Sequence, residues 1–119
     1  MGVLAYSTVY WRNSTYGPLQ YCSMADQNIN GGWSVDDSQI SVTNRKFDMG
    51  QSGPSYYTTV TQYIPTQSPG LDYTYQGPTN WLPVQNINGG LSAVGMNSSA
   101  TLVRGGSSWS LPFKNFICQ

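Results

Sequence analysis

The sequence predicts an all-β domain: a compact sandwich or small barrel of short antiparallel strands, built from two pseudo-symmetric repeats of about 60 residues. Three observations lead there. Apolar residues almost never recur at the three- and four-residue spacing of a helix. Thirteen glycines and seven prolines interrupt the chain every few residues. One six-residue segment, Gln27-Asn28-Ile29-Asn30-Gly31-Gly32, returns unchanged as Gln85-Asn86-Ile87-Asn88-Gly89-Gly90.

The strands are short runs rich in β-branched and aromatic residues. In order they are Val3 to Trp11, Leu19 to Met24, Trp33 to Val42, Tyr56 to Ile64, Tyr73 to Tyr75, Leu91 to Met96, Ala100 to Arg104 and Phe113 to Cys118. Turns are expected at Asn30-Gly31-Gly32, Gly50 to Pro54, Pro65 to Gly70, Gly77-Pro78, Asn88-Gly89-Gly90 and Gly105-Gly106. Each supplies a residue suited to positive φ, or a proline that cannot continue a hydrogen-bonded ladder.

The internal repeat extends past the hexapeptide. Ser34 matches Ser92, and Thr15-Tyr16-Gly17-Pro18 matches Thr74-Tyr75-Gln76-Gly77-Pro78 with one insertion. A single domain over residues 1–119 is expected, with one repeat over about 1–55 and the other over about 56–119. Each unit is too small to bury a sheet face alone, so the two must pack on each other.

Composition narrows the function. Five basic and five acidic residues give a formal net charge of zero, and charged residues make up 8% of the chain, about a third of the usual fraction. The cations are scattered, so there is no electrostatic footprint for nucleic acid or anionic lipid. No apolar run is long enough for a membrane-inserted helix. Near-zero net charge favours self-association and so allows a homo-oligomer. Cys22 and Cys118 show no metal or redox spacing and are candidates for a bridge that would close nearly the whole chain; two free thiols are the alternative.

Histidine and glutamate are absent, which removes the commonest general acid–base and one of the two carboxylates used in catalysis. Cys22 has no histidine to activate it, and no serine occupies a nucleophile elbow. An enzyme is not expected, nor is a cofactor or a metal centre. Tyr10, Tyr16 and Gly17, followed by the segment from Trp33 through Asp36 and Asp37 to Val42, resemble a βγ-crystallin Greek key. The resemblance implies calcium sites involving Asp36 and Asp37. The chain departs from that pattern in lacking the serine pair in the first copy and in carrying Gly70 at the aromatic corner of the second.

What the chain holds in quantity is aromatic faces beside neutral hydrogen-bonding groups, the combination that suits a sugar: ring C–H faces stack on Tyr or Trp while hydroxyls bond to amides. The leading expectation is a non-catalytic carbohydrate-binding domain, lectin-like or adhesin-like, secreted or on an extracellular surface. Its partner would be a glycan or cell-surface glycoconjugate. Two pseudo-equivalent sites would use Asn28, Asn30, Asn86 and Asn88 for hydrogen bonds and Tyr21, Trp33 and Trp81 for stacking. The same Asn-Gly pairs are readable first as hairpin turns with no ligand, and Trp33, aligned with Leu91, as a core position. The alternatives are a self-assembling extracellular subunit of a fibre, pilus, capsid or phage tip, and a small secreted toxin or inhibitor.

Overall fold

A computed structural model describes residues 2–86 and 92–118. Its ten strands are β1 (Val3–Val9), β2 (Arg12–Tyr16), β3 (Leu19–Ser23), β4 (Asn28–Val35), β5 (Ser41–Ser55), β6 (Thr58–Tyr63), β7 (Asp72–Gln76), β8 (Val84–Gln85), β9 (Ala93–Arg104) and β10 (Ser107–Ile117). They form three antiparallel sheets, ordered β1-β4-β7, β10-β9-β5-β6 and β2-β3-β8. The all-β class is therefore as expected. Among the described residues no sheet closes into a barrel.

The molecule is elongated rather than compact, measuring 56 × 26 × 23 Å with a radius of gyration of 16.3 Å, against about 13.5 Å for a sphere-like domain of this length. The long strand β5 causes this. Its 15 residues extend roughly 50 Å, nearly the full length of the molecule. Gly50 to Pro54, a turn by local chemistry, lies inside β5, because Gly50 to Ser52 pair with β9 on one side and β6 on the other. Among the described residues the β9 pairing ends at Ser52 and Pro54 lies opposite only Thr59 of β6, an edge-like position that tolerates a residue without an N–H. The expected break between Met96 and Ala100 is likewise absent: Asn97 to Ser99 continue β9 between β5 and β10.

Of three hairpins, two turn as their residues require. Gly17-Pro18 links β2 to β3 with Gly17 at φ 63°, and proline's fixed negative φ then completes a type II′ pattern. Gly105 at φ 59° begins the two-residue turn from β9 to β10. The β5–β6 turn has no glycine: Tyr56 itself takes φ 34°, an unfavourable conformation for a bulky residue.

Alternation along β5 and β9 builds the core. Phe47, Met49 and Gln51 of β5, and Val94, Met96, Ser98, Ala100 and Leu102 of β9, all point inward and are buried. Phe47 stacks on Tyr75 of β7, with centroids 4.3 Å apart and planes at 8°, and packs against Tyr73 at 4.9 Å. This joins the four-stranded sheet to β1-β4-β7. Toward the third sheet the buried Gln51 accepts from the Met24 backbone N–H at 2.6 Å and donates to the Leu82 carbonyl at 2.7 Å, so both ends of the glutamine are bonded and the Met24 N–H has a partner that an apolar residue could not supply.

Cys22 and Cys118 are bridged, with Cα atoms 6.5 Å apart and a sequence separation of 96, fastening β3 to the residue after β10. Closing a loop of that length is worth about 4 to 5 kcal/mol in the chain-entropy account. Urea unfolding of a Cys22→Ser, Cys118→Ser protein should show stability reduced by about 4 kcal/mol, with the midpoint lowered accordingly. An unchanged midpoint would show that the bridge contributes nothing.

Burial holds the Tyr73 phenol above its ordinary value, opposed by a hydrogen bond with Ser98 and assisted by Tyr6 and Tyr75; burial raises Tyr75 as well. The folded state thus keeps these protons more tightly than the unfolded chain does. The stability they contribute is present below the unfolded phenol value near 10 and is lost as pH rises through the raised folded values. Melting temperature followed by circular dichroism is expected to fall above pH ~10, and to fall less steeply in Tyr73→Phe than in the wild type.

Candidate functional site

The first copy of the repeated segment is not a turn. Asn28 to Gly32 lie in β4, the central strand of its sheet, paired with β1 from Val9 to Tyr6 and with β7 from Gln76 to Asp72. The glycines are needed for close approach. A Cβ on Gly31 would sit 2.5 Å from the Tyr73 hydroxyl and 2.6 Å from the Tyr6 carbonyl oxygen. One on Gly32 would run into the Leu71 carbonyl and lie 2.9 Å from the Asp72 Cα. Gly31 thereby admits the Tyr73 ring to the core, while Gly32 lets the chain enter β7 beside it, where the Trp33 N–H donates to the Leu71 carbonyl at 2.8 Å.

Because side chains alternate along a strand, the register sets the outer face of this sheet. Thr8 faces Asn30, which faces Thr74, and Tyr6 faces Gly32, which faces Asp72. Tyr6, Asn30, Gly31, Asp72, Tyr73 and Thr74 line a shallow cavity of about 370 Å³. The Tyr6 hydroxyl leans over Gly32, 3.0 Å from where a Cβ would be. An aromatic residue, an amide, a carboxylate and a hydroxyl therefore surround a glycine floor. Asn28 is exposed at the start of the same strand and pairs with Gln76.

The other sequence-derived candidates lie elsewhere. Tyr21 is 1% exposed and sits beneath Tyr56, with ring centroids 5.2 Å apart. Trp33 is 3% exposed, packed edge-on against Tyr73 at 5.8 Å, and its indole nitrogen has no partner among the described residues. Neither ring presents a face for stacking, since the inward alternation of β3 and β4 places both in the interior. Trp81 is half-buried and lines a separate cavity of about 350 Å³ beside Arg12, Asn13 and Asp26. Asn86 is exposed after β8, its N–H donating to the Gln20 carbonyl at 2.8 Å. Asn88, with the rest of 87–91, lies outside the described residues. Gln85 pairs with Tyr21 of β3, whereas Asn28 pairs with Gln76 of β7, so the described parts of the two copies occupy different settings.

Compared with known proteins, the chain matches no family model, no curated protein and no solved structure.

Asp36 and Asp37, the pair implied as calcium ligands by the βγ-crystallin resemblance, lie between β4 and β5. Asp36 accepts from the Gly2 N–H, and Asp37 accepts from the Gln39 N–H at 2.9 Å and faces Arg104 at 3.7 Å. No group of three or more potential metal ligands occurs among the described residues.

Two features escaped sequence reading. Tyr6, Asp72 and Thr74 join Asn30 only through the pairing of β4 with strands before and far after it; the alternation within Tyr6-Ser7-Thr8 and Asp72-Tyr73-Thr74 is legible, but the pairing is not. A tyrosine cluster also forms where two hairpin ends meet: Tyr16 of β2 lies 5.1 Å from Tyr56 and 5.8 Å from Tyr57, with the Tyr16 and Tyr57 hydroxyls hydrogen-bonded. That bond, ahead of burial and of the neighbouring Tyr21 and Tyr56, raises the Tyr16 phenol.

Proposed function

We propose that the protein is a non-catalytic carbohydrate-binding domain, lectin-like or adhesin-like, working on an extracellular surface. The observation that carries this reading is the outer face of β1-β4-β7. There Tyr6, Asn30, Asp72 and Thr74 ring a cavity of about 370 Å³, within the range of small-ligand sites. Asn30 both donates and accepts, Asp72 accepts from paired hydroxyls, and the tyrosine offers an apolar ring to a sugar C–H face. A hydroxyl-rich neutral ligand exchanges its water for these groups without stranding a charge. The long-range disulfide suits an oxidising, extracellular setting. We read the duplicated hexapeptide as the trace of two ancestral halves of about 60 residues; the Asn30 cavity belongs to the first, and the counterpart residue Asn88 lies outside the described residues.

On a glycan array the folded protein should bind neutral saccharides, and isothermal titration with the best ligand should show at least tenfold weaker binding for Asn30→Ala and for Asp72→Asn, about 1.4 kcal/mol each. A folded protein that binds no saccharide, or variants that bind as the wild type does, would remove this reading.

A second reading, a self-assembling surface subunit, draws support from outward apolar side chains, with Leu4 66%, Tyr63 70% and Tyr57 87% exposed, and from a net charge of zero. Light scattering separates the two: assembly requires molar mass to rise with concentration, and a monomer at millimolar concentration excludes it.

A further inference from the structure

The chain's five cationic side chains divide into two groups. All three arginines are engaged by the protein itself. Arg12 reaches Asp26 at 3.4 Å and the Ala25 carbonyl at 3.1 Å. Arg45 donates to the carbonyls of Pro69 and Val42. Arg104 meets the Gln39 side-chain oxygen at 3.1 Å and Asp37 at 3.7 Å. The ammonium groups of Lys46 and Lys114 make no ion pair or hydrogen bond among the described residues, and these are the only lysines in the chain. Both line the same cleft, of about 660 Å³.

The register of the four-stranded sheet brings them together. On its outer face Lys46 of β5, Ser99 of β9 and Pro112 of β10 form one cross-strand row, and Asp48, Asn97 and Lys114 form the next. The lysines thus occupy diagonal corners, two strands and two residues apart, roughly 12 Å between Cα atoms. Between them the Asn97 amide donates to Asp48 at 3.1 Å, which orients both groups. The hydroxyls of Ser99 and of Thr66, which borders the cleft after β6, have no partner among the described residues. Pro112 adds an apolar surface.

Two lysines and one aspartate give the cleft a local charge of +1 in a chain whose net charge is zero. Paired cations without an internal partner favour an anionic ligand. The single carboxylate and the amide and hydroxyls beside it favour a ligand with hydroxyls to donate, over a bare anion. Two cations are too few to follow a nucleic-acid backbone.

We propose that this cleft binds a carboxylate-bearing saccharide of the uronic acid class, its carboxylate held by Lys46 and Lys114 and its hydroxyls by Asp48, Asn97 and Ser99. The site lies on a different sheet from the Asn30 cavity and does not depend on it.

The test is a titration of the full ¹⁵N-labelled chain, in parallel, with glucuronate, glucose and inorganic phosphate at low salt. Glucuronate is expected to shift the amides of Asn97, Ser98, Ser99 and Phe113. Its affinity should fall at least tenfold in the double variant Lys46→Gln, Lys114→Gln, whose exposed substitutions leave the spectrum dispersed, and should return in Lys46→Arg, Lys114→Arg. Glucose shifts centred on Tyr6, Asn30 and Thr74 belong to the other sheet, so failure of one site is distinguishable from failure of the other. The proposal is overturned if the double glutamine variant binds glucuronate as the wild type does. Equal shifts at Ser98 and Ser99 from phosphate, or from glucose, would also overturn it, since the cleft would then read only charge or only hydroxyls.

Discussion

Everything in the molecule is arranged around the inward face of β5. A 15-residue strand with alternating buried positions from Phe47 to Ser55 exposes more apolar and amide surface than its own sheet can cover, so other elements must lie across it. Phe47 recruits Tyr73 and Tyr75 and with them the sheet β1-β4-β7, while Gln51 recruits Met24 and Leu82 beside the sheet β2-β3-β8. The two contacts differ in kind. Aromatic stacking is tolerant of small displacements, whereas a buried glutamine with both ends bonded fixes its partners closely, because either lost bond leaves a desolvated polar group.

Length follows from the same constraint, and surface chemistry follows from length. An elongated body with three sheets of three or four strands offers much outward area for its size, and with charges scarce that area is filled by tyrosine, amides and hydroxyls. Gln62 is an instance. It donates to the carbonyls of Gln51 and Leu82 and accepts from the Leu82 N–H, pinning a loop with neutral groups where many proteins use an ion pair. The two lysines stand out against this background because nothing among the described residues engages them.

The repeated hexapeptide shows how the same residues carry different structural weight from what local chemistry suggests. Asn-Gly pairs favour hairpin turns because asparagine and glycine tolerate positive φ. In β4 tertiary packing overrides that preference: the Tyr73 hydroxyl and the entry of the chain into β7 require the volume that glycine vacates, and the strand runs straight through. The β5–β6 hairpin turn, which has no glycine, instead packs the Tyr56 ring against Tyr16 and Tyr21.

The all-β class was legible in the residues alone, since glycine and proline punctuation with β-branched runs excludes long helices. So was the neutral hydrogen-bonding chemistry of the surface; Cys22 and Cys118 were legible as candidates for a bridge with free thiols left open, and the repeat drew attention to Asn30 as a candidate. Three things came from packing across the whole molecule: that β5 and β9 run unbroken through their glycines and serines, that Tyr21 and Trp33 face inward, and which strands meet. Alternation within a strand is a local property, written in adjacent residues, whereas register between strands is set by burial across the whole sheet. Tyr6, Asn30 and Asp72, or Lys46, Asn97 and Lys114, become neighbours only once that register exists.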